Sequence, residues 1–163
     1  MFSNHLRLIS SAESIVIPAT NDVRSIAERK DLFPGWIDPD FKNWKLGLQQ
    51  VPTEATPVQV LEMVKDGKFA DIYAIPNRSF ESLCFTQSQI ALFVATHKGW
   101  LHTGGYGTFF LFKKEVEGKD KFFVADVNFD GSGLLRVYVH SVSHDNVWHA
   151  EFLHRFVIPQ LPG

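Results

Sequence analysis

From Gly107 onward the apolar residues recur with a period of two, and nothing else in the sequence constrains the fold as tightly. Thr108–Lys114, Lys121–Phe129, Leu134–Val142 and Val147–Pro159 read as four successive strands. Their connections carry Gly118, Asp130-Gly131-Ser132-Gly133 and His144-Asp145-Asn146. Each is short enough for a hairpin, so the expected arrangement is a four-stranded antiparallel meander. Several strands are apolar on both faces, as at Phe122 and Phe123, Leu134 and Leu135, and Phe152 and Leu153. A sheet covered on one side alternates more cleanly, so both faces need cover. Helices are expected over one face, with the N-terminal segment, a partner or a ligand over part of the other.

The remainder of the chain supplies that cover. Residues 1–55 read as an irregular, aromatic-rich segment, stopped repeatedly by Pro18, Pro34, Pro39 and Pro52. Ser14 to Ile17 reads as a short strand, and Asn21 or Asp22 as the cap of a brief helix. Residues 56–99 read as helical. Thr56-Pro57-Val58-Gln59 has the form of a capping box with proline at the first helical position, and Gly67 is placed to end that helix. Thr86-Gln87-Ser88-Gln89 opens a second helix, with Ile90, Phe93, Val94 and His97 on one side and Gly99 at its end. The fold class expected is therefore α+β: a C-terminal antiparallel meander over residues 107–159, packed with two or three helices in a single domain spanning 1–163.

Fifteen Phe and four Trp allow a large core, since each buried aromatic removes about 150–250 Å² from water. The formal charge of −2 argues against a general affinity for polyanions. Lys113, Lys114, Lys119 and Lys121 are interrupted by Glu115, Glu117 and Asp120, which reads as a solvated hairpin end; nucleic acid is not an expected partner. The lone Cys84 excludes an internal disulfide and suits a reducing compartment. Without a signal-type N-terminus or an apolar run of about 18 residues, the expected location is cytoplasmic and no membrane partner is expected.

No motif specifies a reaction. Asp126-Val-Asn128-Phe-Asp130-Gly131 opens like a calcium loop, but position eight is Gly133 and position twelve is Val137 instead of Glu. His102-Thr-Gly104-Gly105-Tyr106-Gly107 leads into a strand and lacks the lysine of a phosphate loop, leaving His102 and Tyr106 as possible ligand contacts. His140, His144, His149 and His154 fall close together beside Asp145 and Glu151. A two-residue loop would set His140 opposite His149 with Glu151 diagonal, a candidate catalytic or metal-ligating set. A three-residue loop would instead pair Val142 with Trp148, Tyr138 with Phe152 and Leu134 with Phe156, and separate those donors. The apolar pairing favours the second register, so no metal and no cofactor are expected. Cys84 with His97, and Asp126 with Glu151, are weaker pairings of the same kind.

The phrases Asp40-Phe-Lys-Asn-Trp44, His97-Lys-Gly-Trp100, Thr108-Phe-Phe-Leu-Phe-Lys113 and His154-Arg-Phe-Val-Ile-Pro-Gln-Leu161 resemble small bacterial proteins that carry no assigned activity. The resemblance spans most of the chain, implies a bacterial or phage-associated protein, and transfers no catalytic residue.

Three functional expectations follow. The first is a non-enzymatic binding or interaction domain, using Trp36, Phe41 and Trp44 with His102 and Tyr106, for a protein partner or a second copy. The second is a small metal-assisted hydrolase built on His140, His149 and Glu151, with Asp145 or His144 assisting. The third is a small-molecule sensor, with the sheet's concave face and the Gly104–Gly107 loop forming a pocket.

Overall fold

The strand at the end of the chain does not lie beside the strand that precedes it, and this decides the architecture. The computed structural model describes residues 2–10 and 14–160. The strands are β1 (Leu6–Leu8), β2 (Ile15–Ile17), β3 (Trp36–Ile37), β4 (Thr56–Met63), β5 (Thr108–Val116), β6 (Lys119–Phe129), β7 (Leu135–Ser141) and β8 (Arg155–Pro159). They form one eight-stranded mixed sheet in the order β1-β4-β8-β5-β6-β7-β3, with β2 also paired to β4. Helices are few: α1 (Asp40–Asn43), α2 (Phe69–Ile72) and α3 (Gln87–Thr96), with short 3₁₀ turns, among the described residues. No helix among them is long and apolar enough to cross a membrane.

The expected four-stranded antiparallel meander with helices is therefore corrected to a larger, sheet-rich, mixed structure. The β5–β6 and β6–β7 hairpins form. The first turns at Glu117-Gly118, where both residues have positive φ, +53° and +77°, the backbone a tight hairpin turn demands. The hairpin joining residues 134–142 to 147–159 does not form. β8 instead pairs parallel to β5 and antiparallel to β4. A strand running parallel to its predecessor cannot be reached through a three-residue turn; it needs a crossover of about a dozen residues. Residues 142–154 provide that crossover, bridged to the chain at Gly67–Trp148 and ending on Leu153 at φ +55°.

The helix expected from Thr56 is also corrected, since Thr56–Met63 is β4. Its apparent capping box offers local hydrogen bonds only, whereas β8 on one side and β1 and β2 on the other satisfy the backbone along the strand. The apolar residues at 58, 60, 61 and 63 face both sides of the sheet, and that two-sided pattern imitates helical spacing. The second helix starts as its sequence requires. Thr86 Oγ1 accepts from the Gln89 backbone N–H at 3.1 Å, and the Gln89 side chain accepts from the Thr86 N–H at 3.0 Å.

Both faces carry a core. On one, Phe110, Phe112, Ala125, Val137 and Val157 pack under α3 (Ile90, Phe93, Val94) and under Ile26, Phe33, Phe41 and Leu46 of the N-terminal segment. On the other, Phe109, Leu111, Val124, Phe156 and Ile158 pack under Phe69, Ile72, Tyr73 and Leu83, with Trp148 of the crossover at the margin. The main helix and the N-terminal segment thus share one face, not opposite faces. The second is covered by residues 69–83 and the crossover, which reach β7 at His140, where Phe69 and Trp148 pack on its ring at 5.8 and 5.1 Å.

Because adjacent residues of β5 fill different cores, Phe109→Ala and Phe110→Ala should each cost about 3–5 kcal/mol. Urea unfolding measures both. A small cost for either would mean that its face is open to water.

Candidate functional site

β6 outruns β7, and the mismatch opens the larger of two candidate regions. Phe123 is the β6 residue opposite Ser141, where β7 ends. Residues 119–122 therefore continue with only β5 as a strand partner, apart from a 3.1 Å bond from Val142 N–H to the Phe122 carbonyl. The notch is a cleft of about 670 Å³, walled by Trp44, Val116, Phe122, Phe123 and Val142 and edged by Lys114, Lys121, Ser141 and Ser143. Trp44 follows the short α1, leans on Phe123 at a ring separation of 5.9 Å, and stays 39% exposed. Its backbone carbonyl accepts from Lys114 Nζ at 3.2 Å, which ties the aromatic loop to the hairpin.

The second region lies at the other end of β6, at the margin of the second core. Here Asp126 is only 8% exposed, a carboxylate held where few partners are available. A chain of side-chain bonds satisfies it. Arg136 Nε donates to Asn128 Oδ1 at 2.7 Å, Asn128 Nδ2 donates to Asp126 Oδ1 at 3.1 Å, and Asp126 Oδ2 meets His140 Nε2 at 3.3 Å. The carboxylate also rests against Gly107, where a Cβ would lie 2.5 Å from Asp126 Oδ1 and 2.6 Å from the Phe109 ring. Only glycine leaves that space.

His154 borders this region. Its Nδ1 accepts from the Gly107 N–H at 3.1 Å, so the neutral ring carries its proton on Nε2. Burial pushes its pKa below the ordinary histidine value, outweighing the opposing pull of the Asp126 charge. His102 is lowered as well, by burial first and by the Arg155 charge second. Tyr106 stacks on Phe152 at 4.5 Å, and both line a shallow cleft of about 280 Å³ with Trp148, His149 and His154.

The candidate residues are distributed as follows. His140, His149 and Glu151 do not come together: His140 pairs with Asp126, His149 Nδ1 meets Asp66 Oδ2 at 3.3 Å, and Glu151 sits exposed in a 3₁₀ turn. Among the described residues no group of three or more His, Cys, Asp or Glu side chains is placed to hold a metal. Asp130, from the calcium-like phrase, instead accepts from the Ser132 and Leu134 N–H groups and closes a turn. Cys84 and His97 are apart. The Cys84 thiol bonds the Phe80 carbonyl and burial pushes its pKa up to about 12, while His97 reaches the Val16 carbonyl.

The aromatic candidates also divide. Phe41 is fully buried against Phe112 and belongs to the core. Trp36 is 43% exposed on β3, directly opposite Arg136, whose guanidinium lies over the Tyr138 ring at 5.7 Å. His102 turns back on its own loop, accepting from the Gly104 N–H at 2.9 Å. Tyr106 stays 40% exposed above the small cleft. Of the residues expected to bind, Trp44 alone enters the large cleft.

In the sequence Lys121 reads only as part of an interrupted basic run at a solvated hairpin end, and no motif marks Ser141, Ser143 or the Asn128 and Arg136 partners of Asp126. The lysines had a readable signal, because alternation along two paired strands sorts neighbouring charges onto opposite faces. No family model, curated protein or solved structure matches the chain.

The buried histidines set a pH dependence. The unfolded chain takes up protons near the ordinary histidine value of about 6.5, which the folded chain resists. Stability should therefore be level above about pH 7 and fall as pH drops through about 6.5. Urea midpoints across that window should fall less steeply in His154→Gln, which keeps an acceptor for the Gly107 N–H. An unchanged slope would remove His154 as the cause.

Proposed function

We propose that this chain is a non-enzymatic binding domain whose ligand seats in the cleft beside Trp44. The cleft itself carries the reading. Its volume of about 670 Å³ falls within the range of roughly 300–1,000 Å³ typical of ligand sites. Apolar walls with a few polar groups at the edge are the usual composition of such sites. A half-exposed tryptophan in the wall adds a large contact area at little conformational cost. The chemistry-bearing side chains are meanwhile engaged in separate pairs, His140 with Asp126 and His149 with Asp66, without a common point for a reacting atom.

The test is fluorescence titration with N-phenyl-1-naphthylamine, an uncharged aromatic probe. One-site, saturable binding is expected, weakened roughly five- to tenfold in Trp44→Ala by loss of aromatic contact worth about 1 kcal/mol. Failure to saturate, or equal affinity in the variant, overturns the proposal.

A second reading rests on β3, which ends the sheet. The exposed Trp36 shares one face there with half-buried Arg136 and Tyr138 of β7, and these are residue types that dominate protein interfaces. This supports a protein partner, with a second copy of the chain as the simplest case. Sedimentation from micromolar to near-millimolar protein should then show a mass that rises with concentration and falls back in Trp36→Ala. A monomer throughout ends the second-copy case.

A further inference from the structure

Along the β5–β6 hairpin, alternation separates charges that look intermingled in the sequence. Lys113 and Glu115 of β5 and Asp120 of β6 continue the face of Leu111 and Phe122, where Lys113 Nζ bonds Glu81 Oε1 at 2.7 Å and Asp120 Oδ2 at 3.2 Å. Lys114 and Lys121 continue the opposite face, in line with Phe112 and Phe123 and beside Trp44. They are cross-strand partners, and Lys119 follows opposite Val116. Like charges set directly opposite one another destabilise a strand pair. Neither lysine is ion-paired with a described residue, and Lys114 Nζ has only the Trp44 carbonyl.

We infer that the cleft selects a small amphipathic anion: a flat aromatic or short apolar body ending in a carboxylate, sulfonate or phosphate. The inference rests on the Trp44 cleft being the binding site. The apolar body lies against Trp44, Val116 and Phe123, which share the lysines' side of the hairpin, and the acid group lies at the rim between Lys114 and Lys121. An anion there relieves the repulsion between the two ammonium groups. Ser141 and Ser143 line the same cleft, their Oγ atoms bonded to each other at 2.8 Å, which leaves one hydroxyl hydrogen of the pair to donate to an acid oxygen. Asp120 also lines the cleft, but its carboxylate is bound to Lys113 on the other face. The cleft's volume suits a single small molecule and not an extended polymer.

The deciding comparison is between N-phenyl-1-naphthylamine and 1-anilinonaphthalene-8-sulfonate, which share a ring system and differ by one sulfonate. The sulfonate should bind at a single saturable site about tenfold more tightly, the factor two partly screened charge contacts supply. Added salt should shrink that advantage. Lys121→Gln should cut that advantage, read as the ratio of the two affinities in the same variant, to about threefold, and Lys121→Arg should restore it. Equal affinity for both probes, or an advantage undiminished in Lys121→Gln, overturns the anion preference and leaves the cleft as a binding site. Binding of neither probe defeats the cleft reading itself. A thymidine decamer should not displace the sulfonate; displacement would make the surface a polyanion groove and overturn the small-ligand assignment.

Discussion

The sheet is held together by the placement of β8 between β4 and β5. β8 bonds antiparallel to β4 along five residues and parallel to β5 along three. Without it, the unit formed by β1, β2 and β4 would have no strand in common with the unit formed by β5, β6, β7 and β3. Phe156, its second residue, is fully buried, with its ring 4.9 Å from Phe109 and 5.4 Å from Tyr73. β8 pairs residues 155–159 with residues 58–62 and 108–110, so closing the sheet depends on contacts distant in sequence. Such contacts incur the largest loop-closure entropy before they contribute stability.

The crossover that delivers β8 also shapes the functional surface. It leaves β7 at Ser141, crosses the second face with Trp148 packed on Phe69 and Phe109, and returns at His154. Because the chain leaves β7 there, the longer β5–β6 hairpin projects beyond its neighbour and the notch beside Trp44 opens. Because Trp148 covers only part of the second face, Asp126 is left to be satisfied by polar side chains, and the Arg136–Asn128–Asp126–His140 chain supplies them. Both candidate regions are consequences of one topological choice.

How far the sequence discloses this depends on the range of the interaction concerned. The Glu117-Gly118 turn, the β5–β6 hairpin and the capped start of α3 are fixed by neighbouring residues, and all three can be read from the chain alone. The need for cover on both faces can be read as well, from the paired apolar residues of β6. The state of β4 cannot. Thr56 and Gln59 offer a helix cap, Val58 and Leu61 fit a helical stripe, and only strands far away in sequence make the extended form preferable. The site was partly legible in the same sense. Trp44 stood out as an aromatic in a turn-rich stretch, while Phe41, three residues earlier, looked equivalent and is core. The histidines of the last segment appeared close because a hairpin was expected to fold them together; the crossover carries His149 to Asp66 and leaves His140 with Asp126.

By itself, then, the sequence determined the elements whose forces act over a few residues: turns with positive φ, helix caps, the period-two apolar pattern, and the alternation that puts Lys114 and Lys121 on one side of the hairpin and Lys113 on the other. Tertiary structure alone decided which strands became neighbours, whether the sheet was mixed, where β7 stopped short, and which aromatic ring remained in contact with water. The reason is physical. A strand exposes backbone hydrogen-bonding groups on both edges without specifying a partner, so the assignment of partners is a property of the whole chain and not of any segment within it.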